Sequence, residues 1–289
     1  MFGIANVTSS RTIVFLAGAL LCLGVAVWPL VASRRDVSEA RSYSWRLSVF
    51  ALFSAAAFVA AVFLPGPHKA PPQPLIGLPA AKAIGPGTAI AVAFADGSGG
   101  MACTAGFLVH NAKGQTGVLT AGHCNKPGEG SKVSMNFGSD DYLTVGTFNQ
   151  TIIEGTRGEA HDIGLIMLES DKIPRTPAIT GSMPVAGVAD EVRVGQQLCK
   201  FGMKTGRMEC GQVTDVTESK VVFLAASECG DSGGPVYLIH DNGAVAVGIH
   251  IRAGRQNDPN PGCATRATFS VAELVRPWLT QWNLTALTG

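Results

Sequence analysis

Charge of either sign is sparse and nearly balanced in this 289-residue chain: 22 lysines and arginines stand against 21 aspartates and glutamates, a net charge of +1. A basic surface able to neutralise phosphates is therefore missing, and no nucleic acid is expected as a partner. No Cys-x-x-Cys pair occurs among the seven cysteines, so the spacing of a zinc site is absent and neither a metal nor any other cofactor is expected. There is no internal repeat of fixed period and no segment that reads as a separate binding module. What the chain does have is apolar side chains, 46% of its residues, which is enough for a sizeable core and excludes overall disorder.

The apolar excess is unevenly spread. Residues 12–32 (TIVFLAGALLCLGVAVWPLVA) and 47–64 (LSVFALFSAAAFVAAVFL) contain no charged residue, and each is long enough to cross a hydrocarbon core of roughly 30 Å as a helix. Between them, loop 33–46 carries Arg34, Arg35, Arg41 and Arg46, whereas the segment after the second span has only Lys69 before Leu78. The positive-inside rule then puts the loop in the cytoplasm and both chain ends outside. A cleaved signal peptide ending near Val31-Ala32-Ser33 is the competing reading. It would leave four arginines outside and six cysteines in a reducing compartment, so the hairpin is the consistent one. Residues 1–64 are thus expected as a membrane hairpin with the lipid bilayer as partner, in a multi-pass cell-membrane protein whose remaining part is extracytoplasmic.

Residues 65–82 include six prolines, which oppose helix and central strand and favour a semi-rigid extended linker. From 83 to 289 the pattern changes to short Val- and Ile-rich runs separated by glycine-containing turns. Examples are TAIAVAFA, AGFLV, GVLTA, DIGLIML, KVVFLAA, PVYLI and AVAVGIHI, which read as strands of a sandwich or barrel. Only VAELVRPWLTQW has helical spacing, with Val271, Leu274, Val275, Trp278 and Leu279 on one face and Pro277 as an awkward member.

Three stretches supply parts for acyl transfer. In GVLTAGHC a strand ends by presenting His123; in HDIGLIML Asp162 precedes an apolar strand; in CGDSGGPVY glycines flank Ser232. Taken alone, His123 reads as structural, Asp162 as a strand-end cap, and the glycine run as a flexible turn. Their occurrence together favours chemistry. A serine hydroxyl needs a base to remove its proton, imidazole exchanges protons near neutral pH, and a carboxylate fixes its tautomer. The amides of Gly230 and Ser232 would stabilise the developing oxyanion.

These residues resemble the three signatures of the chymotrypsin-like (trypsin-fold) serine proteases, over about Thr88 to Trp282. The resemblance implies an all-β fold of two six-stranded antiparallel barrels with a C-terminal helix, a catalytic cleft between the barrels, and protein or peptide substrates. It also implies three disulfides, Cys103 with Cys124, Cys199 with Cys210 and Cys229 with Cys263, where six cysteines alone permit fifteen connectivities. LCKFGMKTGRMECGQV resembles the bacterial streptogrisin and α-lytic protease branch. No Ile-Val-Gly-Gly stands upstream of TAGHC to neutralise the aspartate before the nucleophile, and that branch uses an internal base instead. Lys200 is at the matching position and is expected to pair with Asp231, because a buried carboxylate needs a partner.

The pocket for the residue before the scissile bond is expected from Ala226, Ser227 and Glu228 with His250 and Ala253 facing them. Glu228 would favour a basic side chain. The Gly-Ile-His motif resembles glutamate-cleaving relatives, and a third reading leaves both groups structural. A protease-fold binding or signalling protein without turnover is the alternative function; its mark would be a damaged triad or oxyanion loop, and both are intact.

Overall fold

The computed structural model describes residues 77–289, apart from 129, 139–140, 155–159, 259–262 and 264–265. The spans expected at 12–32 and 47–64, loop 33–46 and the linker up to residue 76 lie outside the described residues. Among the described residues no helix is long and apolar enough to cross a membrane.

The first sheet is built from β1 (Ala89–Ala93), β2 (Gly100–Thr104), β3 (Leu108–Asn111), β4 (Thr116–Thr120), β5 (Lys132–Asn136), β6 (Tyr142–Ile153) and β7 (Asp162–Leu168). The second contains β8 (Val185–Val188), β9 (Gln197–Phe201), β10 (Met208–Val216), β11 (Lys220–Phe223), β12 (Pro235–His240), β13 (Gly243–Gly254) and β14 (Phe269–Leu274). The chain closes with helix α1 (Val275–Gln281) and strand β15 (Leu284–Ala286), and β15 returns to pair with β3 of the first sheet. Strand order is β15-β3-β4-β7-β6-β5-β1-β2 in one sheet and β12-β9-β10-β11-β14-β13-β8 in the other.

An additional β12–β13 pairing closes the second sheet on itself. In the first, β2 pairs with β1 and its continuation β3 pairs with β4, so one bent segment joins the two ends. Two strands depart from the expected six per barrel. The parallel edge strand β8 and the terminal strand β15 are additions, each saturating backbone groups an edge would leave open.

Apolar alternation and runs explain the elements. Strand β4 is buried throughout, and β7 buries Ile163, Leu165 and Ile166. One cluster fills the first barrel around Ile90, Val118, Met135 and Ile166. A second gathers Leu119 and Ile163 of the first sheet and Phe107, just before β3, with Tyr237 and Ile249 of the second, joining the two barrels. Burying each such side chain contributes roughly 1.5–3 kcal/mol. The third, around Val213, Val221 and Val247, fills the second barrel.

The helical spacing read from Val271 onward begins too early. Val271 and Leu274 belong to β14, where Val271 pairs with Val222 and Arg252, and the helix starts at Val275. Pro277 is then the third helical residue, a position whose N–H has no partner within the helix. The end of the expected linker is also more tightly held than a spacer. Leu78 donates its N–H to the Tyr142 hydroxyl at 2.9 Å, and its carbonyl accepts from the Asn136 side-chain amide at 2.9 Å. Cys103 is bonded to Cys124, Cys199 to Cys210 and Cys229 to Cys263.

Candidate active site

His123 sits in the 3-10 turn Gly122–Cys124 that ends β4, and the Cys124–Cys103 bridge fixes that turn. Glycine is required beside it: a Cβ on Gly122 would fall 2.2 Å from the Ile152 carbonyl oxygen. Asp162 opens β7 and holds His123 twice. Its Oδ1 accepts the His123 backbone N–H at 2.8 Å and its Oδ2 pairs with Nδ1 of the ring at 2.6 Å. Because an ionised carboxylate can only accept, Nδ1 carries a proton, and in the neutral tautomer Nε2 is the nitrogen with the free lone pair.

Ser232 lies on the loop leading into β12, and its carbonyl accepts the Thr104 N–H at 2.7 Å. Gly233, at φ +88°, has no room for a side chain, since a Cβ would stand 2.0 Å from the Thr120 hydroxyl. His123, Ser232 and Gly230 line one cavity of about 720 Å³, together with Met101, Met203 and Lys204. Gly77, Leu78 and Pro79 contribute to the same wall.

Backbone bonding in this loop is uneven. The amides of Asp231, Gly233 and Gly234 donate to Glu228, His250 and Asp231 carbonyls respectively. Among the described residues, the amides of Gly230 and Ser232 have no such acceptor. Gly230, at φ +107°, has its carbonyl anchored by the Thr104 hydroxyl at 2.8 Å.

Asp231 is fully buried and accepts from five donors. Oδ2 accepts from Lys200 Nζ at 2.7 Å, the Glu228 amide at 3.1 Å and the Ser227 hydroxyl at 3.2 Å; Oδ1 accepts from the amides of Thr205 at 2.9 Å and Lys204 at 3.1 Å. Burial works to raise the pKa of this carboxyl, but the Lys200 charge and these hydrogen bonds outweigh it and hold the pKa below the ordinary value. Lys200 is equally buried; loss of solvent lowers its pKa against the opposing pull of Asp231.

Of the residues expected in the substrate pocket, Ser227 and His250 are buried, while Ala226, Glu228 and Ala253 are half-buried. Nε2 of His250 is 2.8 Å from the Ser227 hydroxyl. That hydroxyl spends its proton on Asp231, so His250 donates through Nε2 and leaves Nδ1 bare and unpartnered. Burial first, and the nearby Lys200 charge second, push the His250 pKa well below its ordinary value and keep the ring neutral. His250 does not pair with Glu228, and its backbone secures the Ser232 loop from both sides, through Gly233 and Gly234.

Sequence reasoning missed the short approach segment Gly77–Pro79 at the cavity wall, and a cluster next to Asp162 in which His161 and Lys220, both partly buried, meet the buried Glu273 and Trp278. A charged residue inside the apolar run VAELV was the available signal for Glu273.

Among solved structures, Thermobifida fusca protease A covers 72% of this chain and is covered completely, at TM-score 0.53 and 24% identity. Nocardiopsis protease gives 0.52 at 24% identity, over 71% of this chain and 98% of its own. A glutamic acid-specific serine protease that uses a histidine triad in substrate binding gives 0.51 at 27% identity, over 71% of this chain and all of its own. Two uncharacterised proteins of Mycobacterium tuberculosis are 33% and 32% identical over 142 residues, 46% of this chain; the match spans 61% of their length. The family profile described as Trypsin matches residues 84–275, most of the chain, and with the barrels and disulfides above this chain belongs to the trypsin family.

Proposed function

We propose that this chain is a serine endopeptidase, with Ser232 as nucleophile, His123 as general base and Asp162 as the carboxylate that orients it. The observation carrying the reading is the His123–Asp162 pair, with its free Nε2, in one cavity with Ser232 and two unspent amides. His123 takes the Ser232 proton as Oγ attacks the substrate carbonyl, then returns it to the leaving amine; water repeats the cycle on the acyl-enzyme. Gly230 and Ser232 amides receive the oxyanion, each worth roughly 10²–10³ in rate. The Lys200–Asp231 pair holds the loop that aims them.

We further propose that the uncharged stretches at 12–32 and 47–64 anchor the domain outside the cytoplasm. Three disulfides, which persist in oxidising compartments, support that location. For the substrate pocket, formed by Ala226, Ser227, Glu228, His250 and Ala253, we propose that His250 braces the nucleophile loop rather than binding a substrate carboxylate. Its neutral ring is already committed to Ser227. Peptide-library profiling decides this, and cleavage mainly after glutamate would reject it. Catalysis is tested by labelling the purified chain with a fluorophosphonate probe. Wild type reacts and Ser232→Ala and His123→Ala do not; equal labelling of all three would exclude the mechanism.

A further inference from the structure

The reaction outlined above makes no use of Glu273, yet this carboxylate is fully buried beside it. It leaves β14 in the second sheet and meets the start of β7 in the first. Oε1 pairs with Nδ1 of His161 at 2.6 Å and accepts from the Trp278 indole at 2.9 Å. Oε2 lies 3.1 Å from Lys220 Nζ and accepts the backbone N–H of Asp162 at 3.4 Å. The His161 ring stands edge-on to Trp278 with centroids 5.1 Å apart, and the His161 carbonyl accepts the Glu154 N–H at 2.8 Å.

A charge buried this deeply is costly unless fully paired, and an apolar residue would fill the strand position more cheaply. Two of its four partners are His161 and Asp162 themselves. The proposed triad is split between the sheets, with His123 and Asp162 on the first and Ser232 leading into the second. Glu273 is therefore an ionic clasp between the sheets, placed at the carboxylate end of the triad.

We propose that Glu273 is a positioning residue: through the His161 ring and the Asp162 amide it fixes the Asp162 carboxylate, and with it the His123 ring, relative to the sheet that carries Ser232. The inference rests on the reading of Asp162 as the orienting group. A misplacement of about 1 Å can cost roughly 100-fold in rate.

The test follows phosphonylation of the purified full chain, as the maximal rate kinact and the half-saturating concentration KI of a fluorophosphonate probe, alongside Tm. His161→Ala and Glu273→Gln are expected to lower kinact about 10- to 100-fold with KI unchanged. Glu273→Gln, which still offers an acceptor, should lose less than Glu273→Ala. If Glu273→Ala fails to fold, His161→Ala decides, because that side chain is 28% exposed and its loss leaves Glu273 with Lys220, Trp278 and the Asp162 amide. Folded His161→Ala and Glu273→Gln chains with wild-type kinact and only a lower Tm would overturn the proposal, leaving Glu273 a structural brace. Wild type unmodified at Ser232 would instead sink the catalytic reading itself, before any variant is compared.

Discussion

Replacing Lys200 by Met keeps the volume of the side chain and removes its charge from a site with no solvent access. In the wild type, Nζ lies 2.7 Å from Asp231 Oδ2, and both side chains are fully buried. Breaking a buried pair from one side typically costs about 3–5 kcal/mol, because the other charge is left unpaired. Asp231 keeps the Ser227 hydroxyl and three backbone amides, so the lower end, about 3 kcal/mol, is expected. For a domain of this size that lowers Tm by roughly 6–12 °C. Activity falls as well, since Asp231 separates the two amides proposed for the oxyanion. Disturbing one such donor costs at least about 10²-fold. Thermal melting and the fluorophosphonate labelling rate of the purified chain measure both effects. A Lys200→Met chain labelled within about twofold of wild type would refute the activating role, whatever its melting temperature.

Acid stability follows from the same pair. Asp231 is held below its ordinary pKa when folded, whereas in the unfolded chain it returns to about 3.9. Its stabilising contribution is therefore present above about pH 4 and is lost as pH falls through the lower folded value. Lys200→Met removes the main lowering influence, so its acid-unfolding midpoint should lie at higher pH than that of wild type; circular dichroism against pH checks this. Gly233→Ala forces a side chain into left-handed backbone against the Thr120 hydroxyl and the Thr104 carbonyl, and should cost at least about 2 kcal/mol and abolish labelling. Unchanged melting would contradict that geometry. Joint replacement of Cys103 and Cys124 by Ser should cost about 2–4 kcal/mol in urea titration and slow labelling, because the bridge ends in the His123 turn.

What the sequence made legible was what short range encodes. TAGHC, HDIGLIML and GDSGGP each concentrate their glycines and functional side chains within a few residues, and the runs of Val and Ile mark strands. The helix start was misplaced because Phe269–Leu274 has the spacing of both periods; pairing with β11 and β13 makes it a strand. Glu273 could not be assigned a purpose from its neighbours, since His161 and Asp162 reach it across more than a hundred residues of chain. For His250 a local motif pointed to substrate binding, while burial and the Ser227 hydroxyl, 23 residues away in sequence, define its surroundings. The strands β8 and β15 escaped notice because three- and four-residue edge strands have too few side chains to show a period.

A structure of the phosphonylated chain reaches the heart of the account. Phosphorus bonded to Ser232 Oγ is expected, with one phosphonyl oxygen within about 2.7–3.1 Å of both the Gly230 and Ser232 amides and Nε2 of His123 beside the leaving-group side. Phosphorus attached to any other residue, or an oxygen facing neither amide, would contradict it.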